Sequence, residues 1–179
     1  MREVSILEQI SQLDVDTRHN VEGIRGFRRL FELIHSGTGI RPAVYSHYQS
    51  LYGTALLNNG DFEESRKIFL ESLSPETRKD DRYRSLTGLT SVYLAQHHPA
   101  EARKCALEAK ALAADSSGNV MVLMLLAKCA QEEGNSKEAL LILDKVFAEL
   151  EKLKGTQSPQ FIEAVKSNCS VLKKQFEGR

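Results

Sequence analysis

The chain has 179 residues, and its 24 Lys and Arg side chains balance 24 Asp and Glu, so its formal charge is zero. That length suits one compact domain or a short repeat array, and zero charge gives no whole-protein field to attract nucleic acid or an anionic membrane. The longest apolar run, Val120 to Ala127, is far too short to span a bilayer, and Met1 to Ile10 lacks the apolar core of a secretory signal, so the expected location is cytoplasmic.

In chain order, the first predicted elements are helices over 3–13 and 20–35. In the second, Val21, Ile24, Phe27, Leu30, Phe31 and Ile34 recur at helical steps and form an apolar stripe. Ser36-Gly37-Thr38-Gly39 ends it. Paired helices are then predicted near 43–58 and 62–73, 82–96 and 99–113, and 118–133 and 136–153, with links at 74–82 and 113–119. Asp80-Asp81, between Arg78-Lys79 and Arg82, reads as a charged link and cap. A last helix over 159–176 starts with Ser158 as cap and Pro159 in its first turn. Phe161, Ile162, Val165, Cys169, Leu172 and Phe176 give it one apolar face, as a cap on a repeat array requires.

The three helix pairs repeat. Gly60-Asp61-Phe62-Glu63-Glu64-Ser65, His97-His98-Pro99-Ala100-Glu101-Ala102 and Gly134-Asn135-Ser136-Lys137-Glu138-Ala139 align at a period of 37 residues. Tyr52, Leu89 and Leu126 share a phase before the turn, followed by the small residues Gly53, Thr90 and Ala127. After it come Ser65, Ala102 and Ala139, then Phe69, Ala106 and Leu143, then Ser72, Ala109 and Val146. Asp61 and Asn135 are expected to accept from the backbone N–H of Glu64 and Glu138, each glutamate reaching back to its cap. His98 is a poorer cap, compensated by Pro99 in the first turn.

The order of aromatic or Leu, small residue, then Gly-Asp/Asn-x-x-Glu-Ala, as in Leu56-Leu57-Asn58-Asn59-Gly60-Asp61-Phe62-Glu63-Glu64-Ser65, resembles the tetratricopeptide repeat (TPR) over residues 46–150. Departures are the 37-residue spacing against the usual ~34, Gln49, Leu86 and Leu123 where an aromatic is usual, and no repeat-ending proline. The resemblance implies an all-α fold, an α-solenoid of about three TPR-like helix-turn-helix repeats with N-terminal helices over 3–42 and the 159–176 cap. The whole chain, 1–179, is read as a single domain.

Catalytic readings are weak. Gly37-Thr38-Gly39 lacks the lysine and strand context of a phosphate loop. His97-His98 sits in a turn with no further ligand at recognised metal spacing. Cys105, Cys129 and Cys169 are widely spaced and fall at apolar or small helix positions, which reads as free, buried thiols. No enzyme, cofactor or metal is expected. Arg25, Arg28 and Arg29, with Arg18 and Arg41 outside the helix and Glu22 and Glu32 opposing them, read as a solvated face before a patch for an acidic partner. A nucleic-acid track with aromatic platforms is missing. The apolar stripe would close the first repeat, with a homodimer through the N-terminal helices as the alternative.

By resemblance, the first helix of each pair lines a concave face that binds a protein or peptide. That face would carry His47, Ser50 and Thr54, then Arg84, Thr87 and Ser91, then Met121, Met124 and Lys128. Its Met-rich end would suit an extended segment or an amphipathic helix, unless Met121, Met124 and Leu125 pack under the terminal helix. Family members that clamp a chaperone's C-terminal carboxylate use Lys, Asn and Arg where the corresponding positions of this chain are Ser50, Thr54, Gly88, Met121 and Leu125, so that clamp is not expected. The expected function is an interaction module, a scaffold or adaptor. The alternatives are a dedicated chaperone resembling those of type III secretion, which are typically acidic, and a peptide-sensing regulator.

Overall fold

The computed structural model describes residues 20–35 and 42–177, with side chains described at 21–33 and 45–177. The protein is all-α. Among the described residues it has eight helices: α1 Asn20–His35, α2 Pro42–Asn59, α3 Phe62–Glu71, α4 Lys79–Ala95, α5 Pro99–Leu112, α6 Ser116–Glu132, α7 Ser136–Lys152 and α8 Pro159–Glu177. No described helix is long and apolar enough to cross a membrane. The expected helix over 3–13, the turn at Ser36–Gly39, Arg18, Arg41 and the Ile34 side chain lie outside the described residues.

The chain divides into two compact units, Met1–Val92 and Tyr93–Arg179. In the first unit, Ile24, Phe27 and Leu30 of α1 are buried in one cluster with Tyr48, Tyr52, Ala55 and Leu56 of α2. The Phe27 and Tyr52 rings lie with centroids 5.5 Å apart. The α1 stripe thus closes over the first helix pair, and its apolar area removed from water supplies the driving force. Val21 departs from that stripe and is exposed.

The second unit has a similar logic. Val122, Leu126, Ala127, Cys129 and Ala130 of α6 are buried, as are Ala139, Leu143, Val146 and Leu150 of α7. Ile162, Val165, Cys169 and Phe176 bury one face of α8, the face expected of it. Ser158 Oγ accepts from the Phe161 backbone N–H at 3.2 Å and caps that helix as anticipated.

The repeat is visible in backbone and burial. Ser65, Ala102, Ala139, Phe69, Ala106, Leu143, Ser72, Ala109 and Val146 are all fully buried, so these three aligned phases are core positions in each helix pair. At the turns, Gly60, His97 and Gly134 have φ of 87°, 58° and 79°. Gly60 N–H donates to Leu57 O and Asp61 N–H to Leu56 O, and the same pair recurs at His97 and His98 and at Gly134 and Asn135. These are three Schellman helix ends in register, the left-handed residue letting two orphan carbonyls be satisfied.

The caps differ from expectation in two ways. The Asn135 side chain does accept from Glu138 N–H, at 3.2 Å, but Glu138 Oε2 returns to the Asn135 amide side chain. Asp61 makes no cap bond; it accepts from Asn59 Nδ2 at 2.8 Å, and Glu64 is drawn instead to the Tyr52 hydroxyl and to Arg28. The Asp61 backbone N–H, the expected target of Glu64, already donates to Leu56 O, so the carboxylate is left to the guanidinium and the phenol.

Candidate functional site

Helix α4 begins at Lys79, three residues before the expected start at 82, and this changes the reading of Asp81. Within the first turn Asp81 points inward, its side chain only 1% exposed, rather than lying in a solvated link. A buried carboxylate needs donors to replace water. It accepts from His47 Nδ1 at 2.7 Å, Arg78 Nε at 2.9 Å and Arg84 Nη1 at 3.2 Å. Burial by itself would push this carboxyl up, but the hydrogen bonds and charges of His47 and Arg78 hold it below the usual carboxylate range.

The 2.7 Å contact to an ionised carboxylate requires the proton on His47 Nδ1, so that nitrogen donates and its 3.4 Å contact with Arg84 Nη1 is not a hydrogen bond. Arg84 Nη1 also donates to Ser50 Oγ at 3.3 Å. The structure therefore joins three of the expected recognition residues, His47 and Ser50 from α2 and Arg84 from α4, around an acid that the sequence reading missed. The available signal was Arg78 and Arg84 standing three residues to either side of Asp81, a helical neighbour spacing.

Ser50 corrects one expectation, because it is fully buried and supports Arg84 instead of facing a partner. The other hydroxyls of this unit bend back onto their own helices: Thr54 donates to Ser50 O, Thr87 to Arg84 O and Ser91 to Thr87 O. With their protons committed, these partly exposed groups offer acceptor lone pairs. Gly88 cannot carry a larger residue, since a Cβ there would lie 2.2 Å from the Phe69 ring.

In the second unit Met121 is 49% exposed, Met124 is partly exposed and Lys128 is exposed, at spacings that put all three on one face of α6. Met121 is therefore not covered by the terminal helix, whereas Leu125 is buried. Lys128 borders a cleft of about 460 Å³ that includes Leu94, Glu132, Leu172 and Phe176.

Other candidates have structural roles. Arg28 Nη2 reaches Glu64 at 3.0 Å and its Nε the Tyr52 hydroxyl at 3.2 Å, while Arg29 pairs with Glu32, so these arginines are engaged within the chain. His97 Nδ1 lies 3.2 Å from Glu132. Cys129 and Cys169 are buried, and Cys105, expected in the core, is partly exposed. Burial raises the Cys129 thiol to about 11, which leaves it protonated and unreactive near neutrality. Among the described residues no group of three or more His, Cys, Asp or Glu side chains is placed to hold a metal ion.

In comparisons with protein-family models, with curated proteins and with solved structures, the chain finds no match.

Proposed function

We propose that this protein is a non-catalytic interaction scaffold or adaptor of the TPR-like helical-repeat kind, binding a peptide or helix of a partner protein through the first helices of its pairs. The observation that carries this reading is the preorganised polar surface of the first unit, in which buried Asp81 ties His47 and Arg84 of two helices into one arrangement. A fixed arrangement loses less side-chain entropy on binding than free arginines would. The resemblance to TPR proteins is supported by three Schellman turns and nine fully buried positions recurring in register. A cytoplasmic setting belongs to the same proposal and agrees with three unpaired thiols.

The test is affinity capture from the source lysate with wild type, Arg84→Gln and Met124→Glu in parallel. The reading expects a partner that is lost with either variant while helicity and melting are retained. A partner set unchanged by both substitutions would remove these surfaces from the function.

A further inference from the structure

The geometry points to the Asp81-anchored arginine as a receptor for a carboxylate side chain of an acidic segment in the partner polypeptide. The inference rests on the scaffold reading and specifies the chemistry recognised at its first-unit surface. Three features of this one cluster support it.

Charge is locally unbalanced although the chain is neutral. Arg78, Lys79, Arg82 and Arg84 outnumber Asp80 and Asp81 two to one in this segment, and His47 adds a further donor. The one buried carboxylate is shared between the guanidinium groups of Arg78 and Arg84, so its single negative charge cannot neutralise both.

The guanidinium is only partly used. Arg84 directs Nη1 inward to Asp81 and Ser50, and among the described residues its Nε and Nη2 have no partner. Its side chain remains 40% exposed. A guanidinium held at one nitrogen presents its remaining donors as a rigid fork, matched to a planar bidentate carboxylate.

The anchor is itself out of solvent. Asp81 is 1% exposed, so its contact with Arg84 is poorly screened and restricts the arginine before any ligand arrives. Thr87, one turn on, donates to Arg84 O, which leaves its oxygen lone pairs to accept the amide N–H of a bound segment.

The experiment is a 1H–15N NMR titration of the full chain with capped glutamate (N-acetyl, N′-methylamide), with capped glutamine and with inorganic phosphate, all at constant ionic strength. Capped glutamate should move the Arg84 Nε–H signal at least several-fold more than any other arginine signal, with millimolar saturation, and capped glutamine should leave it in place. Read at the Thr87 backbone N–H, a signal that survives these substitutions, the saturable glutamate response should be abolished by Arg84→Gln and weakened about tenfold by Arg84→Lys, since charge remains without the fork. Melting curves of both variants verify the fold. Equal response to both capped amino acids, a response spread evenly over the arginines, or a preference for phosphate would each overturn the inference. Such a failure is separable from failure of the scaffold reading: a captured partner lost in Met124→Glu but kept in Arg84→Gln would sink the carboxylate receptor and leave the scaffold standing.

Discussion

The Phe69 ring occupies the space that a side chain at Gly88 would need: a Cβ there would fall 2.2 Å from Cζ, and one at Gly53 would fall 2.7 Å from Cε1. One fully buried ring on α3 is thus seated on two helices of the first unit at positions where both lack a side chain. Gly88→Ala should destabilise the fold by about 1–3 kcal/mol through overpacking. Phe69→Ala should cost about 3–5 kcal/mol. In urea melts the double variant should cost clearly less than the sum of the two, because the ring is the obstacle. Additive costs would deny the contact.

His97 stands at the phase of Gly60 and Gly134 and shares their positive φ, at 58°. An L-residue in that region carries strain of about 1–2 kcal/mol, of which glycine's extra unfolded-state freedom returns part. His97→Gly should therefore raise stability by about 0.5–1 kcal/mol, whereas Gly134→Ala should lower it by about 1 kcal/mol. Thermal melts of the two variants, moving in opposite directions, would verify the shared turn.

Arg103 fastens α5 to the turn and first residues of α7. Its Nε lies 2.9 Å from Glu133 and its Nη1 2.9 Å from Glu138, with the side chain 24% exposed. These carboxylates raise its pKa further, their hydrogen bonds outweighing burial. Arg103→Met should cost about 1–3 kcal/mol, partly by leaving two glutamates facing each other. Arg103→Lys should recover less than half of that loss, since the forked geometry is gone. Denaturant unfolding at low and high salt would measure both, the methionine variant improving with salt as the repulsion is screened.

Asp81 sets a pH dependence whose sign follows from its lowered pKa. Its stabilising contribution is present above the unfolded-state value of about 3.9 and is lost as pH falls through the lower folded value. Asp81→Asn should thus be less stable than wild type at pH 7, and the gap should close progressively below about pH 4. Parallel melts from pH 7 to pH 2.5 would test this; a gap that stays constant across that range would contradict it.

The helices were largely legible because their signals are local. Ser158 and Pro159 mark the start of α8, and the apolar phases of residues 52–72 recur at 89–109 and 126–146, where they are buried as expected. The individual side-chain partners were less legible. Asp61 carries the right chemistry for a cap but loses Glu64 to Tyr52 and Arg28, residues 12 and 36 positions away. Asp81 sits in a run of charges that reads as solvated, and its burial depends on α4 beginning at Lys79 and on a histidine 34 residues earlier. Ser50 lies at a groove phase but is sealed beneath Arg84. In each case a non-local contact decided between two uses of a residue that local pattern left equally available.

The scaffold claim is tested most directly by site-specific photo-crosslinking in cells of the source organism, with p-benzoylphenylalanine placed at Thr87, beside Arg84 on α4, or at Lys104, exposed on α5. The account predicts a discrete protein adduct from Thr87, absent from Lys104 and lost when Arg84→Gln is added. Adducts of equal yield from both positions, or from Lys104 alone, would contradict it.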